Sequence, residues 1–307
     1  MSFSSDTKRE ICQKLSTRKP LQYAELYAML LLGKEFSSRC IIFKTENEDT
    51  FSHFIFLLSQ LFRAKCEVVA PMKGQSGKNR TYTVTVTSPE KCRRIFEYYG
   101  HDDREVNLRV NRANIDDEEC QRGFIRGAFL ACGSVTDPEK GYHLEFSIPY
   151  RNLCRDICLI IREIPDCEVS VKMLSRLGAY IAYVKDSEQI TDLLAYMGAG
   201  NCAMEIMGTK ALKQVRNSAN RLANSEIANL EKTAAASANQ LKAIRILKET
   251  GRFNLLSDEL KEVANLREEY PELSLRDIGE RLSPKISRSG VNHRMEKLIR
   301  LSKEELP

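Results

Sequence analysis

The sequence predicts an α+β amino-terminal region, made of a duplicated αββαββα unit, joined to an all-α carboxy-terminal domain. Three observations carry that expectation. Two stretches about 98–101 residues apart look like copies of one unit. Within each copy the hydrophobic period alternates between that of a helix and that of a strand. Past Met204 the strand signal stops and only helical segments follow. The expected boundaries are 1–200 for the duplicated region, with repeats at about 1–113 and 114–200, then a helical linker at 201–230 and a last domain at 231–307. The 307 residues suit two domains of ~100–200 residues each, and 42% hydrophobic residues suffice for two cores.

The elements of the duplicated region follow in order. AELYAMLLLGKEF at Ala24–Phe36 corresponds to QRGFIRGAFLACGSV at Gln121–Val135, and CEV at Cys66–Val68 recurs at Cys167–Val169. In the first copy Thr81–Thr87 (TYTVTVT) is the clearest strand, β-branched on both faces. The loop before it, Lys73–Arg80, is glycine-rich and carries three basic residues. It reads either as a surface hairpin tip or as a phosphate-contacting loop, with Lys78 and Arg80 as candidate contacts. SPEKCRRIFEYYG at Ser88–Gly100 closes this copy and parallels DSEQITDLLAYMG at Asp186–Gly198. In the second copy Phe124, Ile125, Ala128 and Phe129 share a helical stripe that Gly133 ends. Gly133–Thr136 and Tyr142–Ile148 alternate like a hairpin. Leu153, Ile157, Ile160 and Ile161 mark a helix over Tyr150–Ile164 that Pro165 stops. Glu168–Lys172 with Tyr180–Val184 make the second strand pair, and Ile190–Met197 the closing helix.

From Met204 to Leu247 the composition is helical and free of proline. Arg216–Asn229 (RNSANRLANSEIAN) is rich in asparagine; Asn217, Asn220, Asn224 and Asn229 lie three to five residues apart, so some share a face with Arg221, and Arg216 extends the candidate set. That face is either a polar linker or a surface for phosphates and base edges. Next, Leu260, Val263, Ala264 and Leu266 make an amphipathic helix ended by Tyr270-Pro271. Ser274, with Asp277 three residues on, caps a short helix whose buried side holds Ile278 and Leu282. Ser283-Pro284-Lys285 is a turn. Ser287 caps a third helix with Val291, Met295, Leu298 and Leu301 toward the core.

Charge and cysteine usage narrow the function. The net charge is +5, and residues 203–307 hold 19 basic against 15 acidic side chains. Within Ser283–Lys303 there are six basic residues and one acid, Glu296, a focus that attracts a polyanion if it is more than a solvated helix face. The ten cysteines include no C-x-x-C pair and only four histidines accompany them, so they are expected as free, packed thiols without metal or other cofactor. No apolar run approaches the ~18–20 residues of a membrane span. Lys8, Arg9, Lys14, Arg18 and Lys19 precede no signal-peptide core, so a soluble, cytoplasmic protein is expected.

A short helix with Gly279 midway, a turn and an amphipathic basic helix resemble a helix-turn-helix DNA-binding unit at about 274–306. The core stripe leaves Arg288, Ser289, Asn292, His293, Lys297 and Arg300 largely exposed. Arg288 to Asn292 are expected to reach base edges, and Ser287 to offer its helix N-terminus to a phosphate. Arg276, Lys285 and Arg294 complete the candidate contacts to duplex DNA.

The duplicated half resembles the LAGLIDADG homing-endonuclease fold. FIRGAFLACGS occupies the place of that family's motif, with Gly127 at the close helix contact and Gly133 as the terminal glycine; Ala28 and Lys34 correspond in the first copy. In the nucleases the residue before the terminal glycine is a metal-binding acid. Here it is Cys132 in one copy and Gly33 in the other. A thiol and a glycine give Mg²⁺ no hard oxygen, so the resemblance implies a scaffold without catalysis. The alternative is a metal-dependent endonuclease with relocated ligands, drawn from Glu25, Glu35 or Asp137.

Over essentially the whole chain, the sequence resembles the WhiA family of Gram-positive bacteria. RNSANRLANSEIANLEKTAAASANQ and LSLRDIGERLSPKISRSGVNHRMEKL carry the match. The resemblance implies a nucleoid-associated transcriptional regulator that binds promoter DNA, linked to cell division, chromosome segregation and sporulation. It leaves open an amino-terminal domain that serves chiefly to bind a protein partner.

Overall fold

The computed structural model describes residues 2–70, 81–105 and 107–303. It divides into two compact units, 1–213 and 214–307. In the first unit the chain runs α1 (Phe3–Gln13), α2 (Lys19–Leu31), β1 (Glu35–Phe36), β2 (Ile41–Thr45), α3 (Glu48–Phe62), β3 (Cys66–Val69), β4 (Tyr82–Val86) and α4 (Pro89–Tyr98). The second copy follows as α5 (Glu118–Cys132), β5 (Gly133–Val135), β6 (Leu144–Ile148), α6 (Arg151–Arg162), β7 (Lys172–Arg176), β8 (Ala179–Val184) and α7 (Ser187–Tyr196). Helix α8 (Gly200–Glu249) begins in the first unit and ends in the second, where α9 (Asp258–Glu269), α10 (Leu275–Arg281) and α11 (Arg288–Lys303) complete the fold.

Each repeat builds one four-stranded antiparallel sheet, ordered β1-β2-β4-β3 and β5-β6-β8-β7. The equivalent registers, Phe43 opposite Val84 and Phe146 opposite Ala182, point buried side chains onto the helices. The duplication is therefore real at the level of topology. The repeats meet through α2 and α5. A β-carbon at Gly127 would stand within 3.0 Å of the Ala28 β-carbon and 2.9 Å of the Glu25 carbonyl carbon. Gly123 makes the same approach one turn earlier, where a β-carbon would meet the Leu21 side chain at 3.1 Å.

Three features differ from the sequence expectation. Helix α1 precedes the first repeat and has no counterpart in the second. Its Glu10 caps the start of α8, accepting from the Asn201 and Cys202 N–H groups at 2.8 and 3.0 Å. The second strand pair is 172–176 with 179–184, not Glu168–Lys172, so Cys167–Val169 lies outside any strand while Cys66–Val69 is β3. The hairpin turns on Leu177-Gly178, both at positive φ (50° and 81°), a geometry usually written Asn-Gly. Leu177 is 96% exposed, so nothing in its hydrophobic character announced a turn. Finally, the helical linker expected at 201–230 is helical but not a separate element: it lies within the single helix Gly200–Glu249, and the units part after Lys213.

The second unit has its own core: Ile244 and Leu247 of α8 pack with Leu260, Val263, Ala264, Ile278, Val291, Met295 and Leu298. The expected stripe of α11 is thus the buried one.

Candidate nucleic-acid interface

The presentation of α11 begins with its cap. Ser287 Oγ accepts from the Gly290 N–H at 3.2 Å, and its carbonyl from the Val291 N–H at 3.0 Å. Ser274 caps α10 in the same manner, through the Asp277 N–H at 3.2 Å. The turn between the helices folds back on Gly279, whose carbonyl accepts from the Ile286 N–H at 3.1 Å. A β-carbon on Gly279 would collide with the Ile286 carbonyl oxygen, so the turn needs a residue without one. These contacts fix the rotation of α11.

With Val291, Met295 and Leu298 buried, Arg288, Ser289, Asn292, His293 and Lys297 are exposed, as are Arg276 on α10 and Lys285 and Ser287 in the turn. Arg288, Ser289, Asn292 and His293 line one cleft of about 370 Å³ with Leu275 and Glu296. Asn292 donates one amide N–H to Glu296 at 2.9 Å. Its oxygen and second N–H remain for the paired acceptor and donor that adenine shows in the major groove. Arg294 departs from its neighbours: it is half-buried and pairs with Glu259 of α9 at 3.0 Å. Lys78 and Arg80 lie outside the described residues.

A second cleft, of about 640 Å³, joins Arg276, Arg288 and Asn292 to the carboxy-terminal half of α8 through Asn229, Lys232, Thr233, Ser237 and Gln240. Arg267 also lines it. This side chain is 2% exposed and donates through one terminal nitrogen to the Pro271 and Leu273 carbonyls at 3.2 and 2.7 Å, while burial lowers its pKa. Of these, only Asn229 belonged to the Arg/Asn face read from the sequence; Lys232, Thr233, Ser237, Gln240 and Arg267 were not expected at the interface. For Arg267 a signal existed: it continues the Leu260, Val263, Ala264 stripe by one turn, where Leu266 is only partly buried.

The linker residues Arg216, Asn217, Asn220, Arg221 and Asn224 are all exposed, and none lines either cleft. At about 100° per residue, Asn217 and Asn224 lie roughly 60° and 80° from Lys232 around α8, and Asn220 roughly 120°. Arg221, about three turns before Lys232, lies on the same side of the helix as Lys232, roughly 20° from it.

The positions that carry acids in active LAGLIDADG nucleases are closed in a different manner. Cys132 is the last residue of α5, its thiol directed at the Ala128 carbonyl oxygen, 3.4 Å away. Burial pushes that thiol up to about 12, so without a metal it is protonated at neutral pH. Lys8 of α1 donates to the Leu130 carbonyl at 3.2 Å, setting an ammonium at the carbonyl end of α5. Gly33 follows the end of α2, its backbone hemmed by the Ile42, Leu30 and Met29 carbonyls. Glu25 is buried, with Oε1 3.1 Å from His53 Nε2 and 3.4 Å from Arg126 Nε. Arg126 also holds the Met197, Ile11 and Lys14 carbonyls. Glu35 is exposed in β1, and Asp137 caps the turn after β5 through the Glu139 N–H at 2.9 Å. Among the described residues, the grouping of metal-ligating side chains is Asp116, Asp117 and Cys120, at the other end of α5 from Cys132. Asp117 there accepts from the Cys120 N–H at 2.6 Å as the helix cap.

Residues 219–302 match the WhiA C-terminal HTH domain, and residues 121–216 the WhiA LAGLIDADG-like domain. Among curated relatives, the "Probable cell division protein WhiA" of Clostridium perfringens is 34% identical over 99% of this chain and 98% of its own length. The protein of the same name from Clostridium botulinum is 32% identical over the same shares. Among solved structures, full-length DUF199/WhiA from Thermatoga maritima superposes with a TM-score of 0.62 at 20% identity, covering all of both chains.

Proposed function

The chain belongs to the WhiA family, and from that premise we propose that it is a sequence-specific DNA-binding regulator acting in cell division, without nuclease activity. The observation that carries this reading is the capped, rotation-locked helix α11, which exposes Arg288, Ser289, Asn292, His293 and Lys297 together. Arginine suits the O6/N7 pair of guanine and asparagine the N6/N7 pair of adenine, while Lys285, Lys297 and Arg276 suit phosphates. Arg294, engaged by Glu259, contributes by anchoring α11 to α9. The linker residues Arg216, Asn217, Asn220, Arg221 and Asn224 are a secondary contact in this reading. The partner is duplex DNA at promoters, and the setting is the cytoplasmic nucleoid. Transcriptional control, chromosome segregation and sporulation belong to the same proposal. Consistent with a water-exposed setting, no helix of the described residues is long and apolar enough to cross a membrane.

The absence of catalysis is supported by chemistry at the ends of α2 and α5. Phosphodiester cleavage with Mg²⁺ needs oxygen ligands there, and the chain offers a glycine, a protonated thiol and the ammonium of Lys8. Of the acids the nuclease alternative could draw on, Glu25 is already engaged in the interior by His53 and Arg126, Asp137 caps its own turn, and Glu35 stands exposed in β1. Purified protein with Mg²⁺ or Mn²⁺ should leave supercoiled plasmid intact. Cleavage that EDTA abolishes would restore the nuclease alternative.

A further inference from the structure

We propose that the cleft between the carboxy-terminal half of α8 and the α10–α11 pair is a phosphate-binding site, holding a backbone phosphate of the DNA that α11 reads. The inference rests on the DNA-binding reading and adds α8 to the interface through Lys232. Four basic side chains line the cleft, Lys232, Arg267, Arg276 and Arg288, and no carboxylate does. Among the described residues Lys232 and Arg288 form no ion pair, and Arg276 meets only Glu280, at 3.3 Å in an exposed pair. Concentrated positive charge of this kind is unfavourable unless an anion offsets it.

The buried groups point the same way. The Nε of Arg267 has no hydrogen-bond partner, although the residue is 2% exposed. Gln240, 6% exposed, likewise retains an unpartnered amide oxygen, and its amide can be turned to present N–H instead. Leaving a buried donor unmade is costly, and a bound phosphate oxygen would complete it. Non-bridging phosphate oxygens accept from guanidinium and ammonium donors and need none in return. Because the cleft shares Arg288 and Asn292 with α11, a phosphate bound there sits beside the bases those residues would contact. Such a contact sets register and adds affinity without reading sequence.

The test is a salt titration of DNA binding by the full-length protein and by Lys232→Gln, on a selected site and on random duplex, with a parallel titration of pyrophosphate alone. Lys232 is exposed on α8, so an unchanged melting temperature is expected and serves as the folding control. The variant should bind both duplexes on the order of fivefold to tenfold more weakly, one charged contact partly exposed to solvent. Its log–log salt slope should be shallower by about 0.9, the value for one phosphate, with the selected sequence unchanged. Wild-type affinity and slope in the variant would overturn the inference while leaving the regulator reading intact. So would a loss confined to pyrophosphate, which would make the cleft a site for a free anion. A wild-type protein without preference for any sequence would defeat the regulator reading alone, and one that binds no DNA would defeat both.

Discussion

Gly127 brings α5 so near α2 that any β-carbon there would lie 2.9 Å from the Glu25 carbonyl carbon and 3.0 Å from the Ala28 methyl group. The obstacle is helix backbone, which cannot swing aside, so Gly127→Ala must separate the helix pair that joins the repeats. A loss of about 3 kcal/mol is expected, at the upper end for overpacking, and the melting temperature should fall by roughly 6–10 °C in thermal unfolding. This position was legible, because the glycine spacing of the motif signals a close helix contact. Gly123, four residues before Gly127 on the same helix face, makes a like approach and went unread, although that spacing was itself a signal of close packing. Gly133 ends α5 where the stripe predicts, but without a left-handed residue. Its φ of −82° is ordinary, and its glycine is required because a β-carbon would come within 2.7 Å of Phe129. Arg267 continues the buried stripe of α9, but its charge argues for the surface until the Pro271 and Leu273 carbonyls that receive it are seen.

Among the elements, α1 and α8 depend on each other through Glu10. Burial raises the pKa of this carboxyl, but the Asn201 and Cys202 N–H groups outweigh it, so the folded value lies below the ordinary 4.5. A depressed folded pKa contributes stability above the unfolded value that is lost as pH falls through the folded one. Glu10→Gln should therefore lower the melting temperature at pH 7 and narrow the gap to wild type below about pH 4. A gap that stays constant from pH 7 to pH 3 would show that the carboxylate does not cap α8. The extent of α8 was half legible. Helical composition marked 204–247, and no glycine or proline interrupts residues 209–250, so nothing in the sequence separated a linker from the helix. For the linker contact, Arg221→Ala with Asn224→Ala should weaken DNA binding about threefold at unchanged thermal stability, as gel shifts and calorimetry would report. Unchanged affinity would return these residues to a solvated helix face.

At the scale of the whole molecule, one unit carries a duplicated sheet-and-helix scaffold and the other a compact helical core that displays α11. The fold class was legible because repetition and periodicity are global signals that survive local errors, such as the strand displaced from 168–172 to 172–176. The face of α11 was legible for the same reason, since the Val291, Met295, Leu298 stripe leaves only one side exposed. The cleft beyond it was not, because Asn229, Lys232 and Gln240 reach it only once the chain folds back from α8 through α9. The central claim is that α11 reads base edges from this exposed side, and binding-site selection on the wild type, Asn292→Ala and Lys297→Ala tests it most directly. Asn292→Ala should lose preference at one base position, on the order of 1–3 kcal/mol of discrimination. Lys297→Ala should keep the same site and weaken every sequence about equally, with a shallower salt slope. Selection by Asn292→Ala of the wild-type site at full affinity would contradict the claim.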